Sequence, residues 1–382
     1  MRLQLAAGCA VLAGLAAPAR ADGTLSMRGV YYKERSTRVI QPMLDGLFEV
    51  GARGLLDAHF LVDAITSASA GSGAANAVPF SEQRYEAGGG YTREFDGPAS
   101  LAWLDKFRLG AEGKFSTESD YHSGYIGVRG AADVAQKNAT IEGGAGYSHD
   151  TMDASNAQGA LGGIKLQCPG NSDPASKGCH LRTYTAFGSV SQIISRNALV
   201  ALTYDMSYLD GFQSNPYRLA LTTTGFVPEK HPFTRLRQAV ALSTRIYIPA
   251  SQTTLIAAYR YYHDDWKITA HTPEIRIVQQ AGLDVDATFG YRYYTQTASY
   301  FYQVRYPDPS VMPLSYYTDD PKMSAFDGHM FEAKLGVLGD AFELKHRWAA
   351  ARFEGILDYI VQHNRFGNAV EAHVALTVPF DY

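Results

Sequence analysis

The sequence predicts an all-β protein: a transmembrane, antiparallel, up-and-down β-barrel of about 16 strands, with 14 as the alternative count. Three observations predict it. Apolar and polar residues alternate with period two along many segments. Every second connection between those segments is short, whereas the others include several long ones. Aromatic residues gather on one face at the far ends of alternate segments. No later segment holds about 18 uninterrupted apolar residues, so membrane insertion would have to use strands.

Residues 1–21 read as a signal peptide. Arg2 supplies the positive end, Leu3 to Ala17 is a short apolar stretch, and Ala19-Arg20-Ala21 is an A-x-A cleavage site. A lipoprotein cut at Gly8-Cys9 would leave almost no apolar region before it. The barrel is then 22–382, undivided by any linker. Its expected place is the outer membrane of a Gram-negative bacterium. The 34 Lys+Arg against 38 Asp+Glu leave no basic excess, which argues against a nucleic-acid partner. Cys168 and Cys179 lie in a polar stretch. In an oxidising compartment they are expected to pair, in preference to forming half a metal site beside His180.

Alternation places the strands near 25–33, 38–50, 55–65, 83–94, 101–116, 122–134, 138–150, 181–194, 198–209, 234–248, 253–264, 268–279, 283–299, 329–337, 348–362 and 370–382. Those near 181–194 and 329–337 alternate weakly, and the 338–347 connection is long for its slot; together these admit the count of 14. Long connections at 66–82, 151–180, 210–233 and 300–328 fit external loops, and the short ones fit periplasmic turns. Tyr31, Phe60, Phe115, Tyr147, Tyr208, Tyr261, Tyr293 and Tyr359 are then expected at the outer membrane interface. In the last strand Val374, Leu376, Val378, Phe380 and Tyr382 form one apolar face, the signal of a barrel-closing strand.

Several stretches carry a family resemblance. They are Met27-Arg28-Gly29-Val30-Tyr31-Tyr32-Lys33-Glu34, Leu61-Val62-Asp63-Ala64-Ile65-Thr66-Ser67-Ala68-Ser69, Tyr259-Arg260-Tyr261-Tyr262-His263-Asp264-Asp265-Trp266-Lys267-Ile268 with His271-Thr272, and Arg292-Tyr293-Tyr294-Thr295-Gln296. The chain resembles an uncharacterised family of bacterial outer-membrane β-barrel proteins, a domain of unknown function. The resemblance implies the barrel and no established activity. Pro379 departs from it, because proline removes a ladder donor from the closing strand.

The parity that opposes the apolar face carries charges of both signs. Expected lumen-lining residues include Arg28, Asp45, Asp57, His59, Asp63, Arg108, Glu112, Arg129, Arg260, Arg292, Arg352 and Glu354. One reading is a wet pore for small polar solutes, with weak charge selectivity. The other is a set of cross-strand ion pairs that brace a plugged barrel, which would then dock envelope partner proteins. Asp57-x-His59 with Asp63 is a metal candidate on one strand face, and His263-Asp264-Asp265 with His271 is another at an external hairpin. The Tyr-Arg-Tyr-Tyr repeat at 259–262 and 291–294 places Arg260 and Arg292 inward, where both would bind one anionic solute if they share a layer. His122-Ser123 and Ser148-His149-Asp150 are not credible triads, since strand neighbours point to opposite faces. The expectation is therefore a non-enzymatic barrel without a cofactor, with a membrane-embedded hydrolase as the minor alternative. Its expected partners are outer-membrane lipid, the barrel-assembly machinery and small polar solutes.

Overall fold

The computed structural model describes residues 22–35, 37–68, 79–101, 103–152, 179–215 and 218–380. The strands are β1 (Gly23–Lys33), β2 (Thr37–Val50), β3 (Gly54–Ala68), β4 (Pro79–Asp96), β5 (Leu104–Thr117), β6 (Tyr121–Val134), β7 (Ala139–Met152), β8 (Cys179–Ser195) and β9 (Ala198–Gly211). They continue as β10 (Leu219–Leu221), β11 (Phe226–Pro228), β12 (Thr234–Ile248), β13 (Thr253–Asp264), β14 (Thr269–Ala281), β15 (Val285–Gln296), β16 (Phe326–Leu338), β17 (Arg352–Gln362) and β18 (Ala369–Phe380). All but β10 and β11 join one closed antiparallel barrel, which settles the count at 16 strands. Each barrel strand pairs with its chain neighbours, and β9 passes to β12 across the small β10–β11 hairpin. β8 and β16, where alternation was weakest, hold full ladders on both sides.

Closure comes from β18 against β1, with Val374, Leu376, Val378 and Phe380 opposite Gly29, Met27, Leu25 and Gly23. β17 pairs with β18 only as far as Thr377, so Pro379 sits where the strand has one neighbour. Tyr382 lies outside the described residues, as do the signal segment and Cys168. Cys179 opens β8, is buried and is disulfide-bonded.

Residues paired directly across a ladder share a face. Val128 is 61% exposed, and its row continues through Ala111 and Ala145, so this apolar face is turned outward rather than into a core. The aromatic girdle is built the same way. Tyr147, Tyr184 and Tyr208 are successive ladder partners with ring centroids 5.2 and 6.4 Å apart. Tyr291, Phe331 and Tyr359 make a second row. At the other end of the barrel Phe48 meets Phe380 at 5.8 Å. Rings whose bodies favour hydrocarbon and whose tips favour water collect at such interfaces.

Candidate functional site

The inward face is a chemically rich surface that the fold encloses. Arg28, Asp45, Asp57, His59, Asp63, Arg108, Glu112, Arg129, Arg260, Arg292, Arg352 and Glu354 all lie on it, opposite the apolar rows. Many of them are paired. Arg84 meets Asp63 at 2.6 Å, Arg108 meets Asp133 at 2.8 Å, and Lys106 binds Glu94. Arg292 donates to Glu274 at 2.7 Å, and Lys334 meets Glu354 at 2.6 Å.

Some pairs reach over an intervening strand, and glycine makes that reach possible. Arg276, Gly290 and Glu332 form one ladder row, and the arginine meets the glutamate at 3.2 Å across the glycine. A Cβ at Gly290 would stand 3.1 Å from the Glu332 Cβ. Asp286, Gly336 and Glu354 form another row. There Arg352 bonds Glu354 at 2.9 Å and Asp286 at 2.6 Å, and a Cβ at Gly336 would overlap its guanidinium. In the row Thr92–Gly110–Arg129, the arginine donates to Thr92 at 3.0 Å and reaches Asp57 at 3.5 Å. In these rows the long cations lie along the wall instead of projecting across the lumen. The signal was present in the sequence as glycines on the inward parity, but a glycine reveals its use only once its two ladder partners are known.

The Asp57, His59 and Asp63 metal candidate does not hold. His59 turns to Glu86 at 3.2 Å, while Asp57 and Asp63 turn to Arg129 and Arg84. Their spacing is right for one face, but their partners stand apart, Glu86 and Arg84 on β4 and Arg129 on β6. The hairpin candidate fails for another reason: Asp264 faces inward and is fully buried, whereas His263 and His271 face outward and bond Thr269 and Tyr259. The two repeat arginines also differ. Arg292 is neutralised by Glu274, and Arg260 stacks on Tyr262 with its guanidinium carbon 5.7 Å from the ring centre. In the serine–histidine stretches Ser123 donates to Asp150 at 2.6 Å, while His149 stacks on His180 across the barrel wall from them.

The outer mouth carries a folded cap that the sequence did not disclose. Residues 212–215 and 218–233, with the β10–β11 hairpin, pack against 297–325. Tyr306 is its centre: buried, its hydroxyl donates to the Phe301 carbonyl at 2.7 Å and accepts from the Thr318 amide at 2.9 Å. Arg218 pairs with Asp320 at 2.6 Å. The cap is fastened to the barrel by inward groups. The Gln296 amide donates to the Lys322 and Ser324 carbonyls at 2.8 and 2.6 Å, and Arg365 after β17 forks onto Asp319 at 2.5 and 3.2 Å. His231 and Phe301 close on Trp266 at 5.4 and 5.3 Å, and Arg235 stacks on the same indole at 4.1 Å. Attachment thus runs from β12 round to β17, and inward Ala239 and Ala270 beneath it are each 3% exposed.

Inside the cap Glu229 and His231 share a proton problem. Burial pushes the Glu229 carboxyl up to about 7 and the His231 imidazole down to about 4. His231 Nδ1 faces the Gln213 carbonyl at 3.0 Å, so it carries the hydrogen, and Nε2 faces Glu229 Oε2 at 3.6 Å. Folding therefore costs more from Glu229 as pH rises from about 4.5 to 7, and less from His231 as pH rises from about 4 to 6.5. The two slopes oppose over the shared window. In Glu229→Gln only the histidine remains, so the cap is expected to loosen as pH falls from 6.5 toward 4, seen as faster proteolysis within 212–233 than in the parent chain. Equal acid sensitivity in both chains would contradict this account.

A family described as "Protein of unknown function (DUF3570)" matches residues 3–354. Among solved structures, a bacterial polysaccharide outer membrane secretin is similar at a TM-score of 0.51 and 8% identity, over 94% of this chain and 98% of that one. The outer membrane protein OprD from Pseudomonas aeruginosa follows at 0.45 and 9%, over 95% and 94%. The CymD monoaromatic hydrocarbon channel gives 0.42 and 6%, over 95% and 88%. No curated protein matches the sequence. At these identities the first likeness is one of fold.

Proposed function

The chain belongs to the DUF3570 family of proteins of unknown function, and we propose that it is an outer-membrane channel, porin-like, for small polar solutes. The observation that supports this most is solvent exposure on the inside of a closed barrel. Arg28, Arg129 and Arg260 face inward at the middle of their strands and remain exposed. Water reaches them only through a lumen. A barrel of this strand number has room for one. Charges of both signs held in pairs along the wall favour passage of polar solutes with weak preference between anions and cations.

The cap supports a restricted outer mouth rather than a freely open one. It is fastened along one side, so the passage is asymmetric. In the cell the chain is proposed to reach the outer membrane through the signal segment and the barrel-assembly machinery.

Single-channel recording in a planar bilayer tests the proposal. Discrete ohmic steps are expected, with a reversal potential near zero across a KCl gradient. Deletion of 297–325 is expected to enlarge the step. A refolded barrel that never conducts, with or without that segment, would favour the docking alternative.

A further inference from the structure

We infer that Asp327, His329 and His363 form a binding site for a divalent transition-metal ion of the zinc class on the outer rim of the barrel. This inference concerns the outward face and stands whether or not the lumen conducts.

The ladder brings the three together. Asp327 and His329 are two residues apart on β16 and so point the same way. The β16–β17 register pairs His329 with Val361 and Gly328 with Gln362. The His363 amide donates to the Asp327 carbonyl at 2.9 Å, which extends that register by one step and sets Asp327 opposite His363. Their face is the outward one, since Phe331 and Leu335 on the same parity are among the exposed apolar residues. The site therefore sits just beyond the Tyr291–Phe331–Tyr359 row, at the water side of the outer girdle.

One ligand atom from each residue falls within 4.8 Å of the others. His363 Nδ1 is 2.7 Å from Asp327 Oδ2, and His329 Nε2 is 3.9 Å from the same oxygen. Donors bound at about 2.0–2.1 Å to one tetrahedral ion lie roughly 3.3–3.5 Å apart, inside the range seen here. Two imidazoles and one carboxylate suit such an ion and leave a position open for water or another ligand.

The surroundings favour a metal over an isolated ion pair. Asp327 has no lysine or arginine partner among the described residues; the side chains within ion-pair distance of it are the two histidines. Tyr291 places its hydroxyl 2.9 Å from His329 Nδ1. When Nδ1 carries the proton and donates to that oxygen, the Nε2 lone pair is left facing Asp327. An outer partner that fixes tautomer and ring direction is the usual support of a metal-bound histidine. His363 is 57% exposed on its side chain, so an ion can enter from solvent.

The test uses the full barrel in detergent, stripped with a chelator and titrated with Zn²⁺, then with Co²⁺ as a visible probe. One saturable equivalent per chain is expected, and Co²⁺ should give the d–d bands of a four-coordinate site. His329→Ala with His363→Ala should remove that equivalent and the bands, while the strand signal in circular dichroism is kept. Tyr291→Phe should weaken affinity by about 10-fold or more while the three ligands remain. If the double variant binds the same number of ions, or the parent shows no saturable binding, the site does not exist. Binding of that kind would be adventitious, at the other histidines of the surface.

Discussion

Asp264→Ala is expected to destabilise the outer third of the barrel by about 3–5 kcal/mol, because it leaves a buried guanidinium without its counter-charge. Asp264 is fully buried, and the Arg235 side chain is 6% exposed. Both Arg235 nitrogens that face it donate to one carboxylate oxygen, at 2.9 and 2.5 Å. Tyr262 donates to the same oxygen at 2.7 Å, and the Ile268 amide donates to the other at 2.9 Å. The last bond ties the β13–β14 hairpin, and the arginine platform holds Trp266, on which the cap rests. Loss of the carboxylate therefore unseats the indole as well. The readouts are a lower midpoint in thermal or urea unfolding and early cleavage within 212–233 and 297–325. Asp264→Asn keeps the Ile268 bond and should fall between parent and Ala. A cap that stays protease-resistant in Asp264→Ala would show that Trp266 is held without the arginine platform, by its apolar contacts and the indole N–H bond to the Thr234 carbonyl.

The second large effect concerns the opposite face. Leu242 lies near the middle of β12, outward and 50% exposed, in a row with Leu202 and Tyr259. Leu242→Arg should cost about 2–4 kcal/mol in lipid, as expected for a cation at the hydrocarbon midplane. Ser243→Arg, one residue on, points into the barrel interior between Ala201 and Ala258 and should be nearly neutral if that interior is water-filled, as proposed. Reversible unfolding from lipid vesicles measures both. Similar costs for the two would mean that the faces are not lipid and water as assigned.

The barrel was legible because period-two alternation is a local property. Each strand near 234–248 or 253–264 could be read from its own residues, and those two bounds agree with the structure to the residue. What was not legible depends on register. That Gly336 lies between Asp286 and Glu354, or that Asp327 lies opposite His363, follows from pairing between segments far apart in sequence. Asp57 and His59 show the reverse: correct facing, but wrong partners, because β4 and β6 supply them. The cap escaped for a third reason. Tyr306, Thr318 and Glu229 are held by backbone carbonyls, amides and a hydroxyl in loops without periodicity, and such contacts leave no pattern to count.

The seam has a consequence for how the barrel is made. β1 and β18 pair Gly23 with Phe380, so the last ladder joins the two strands most distant along the chain. The entropy of closing so long a loop grows only slowly, by about 0.6 kcal/mol per doubling of length, and it is a delay more than a drain on stability. Until β18 arrives, the ribbon from β1 to β17 carries two open hydrogen-bonding edges, each a template for another chain. Assembly is therefore a race between closure and aggregation, and its slow step is the meeting of the ends rather than the formation of any hairpin.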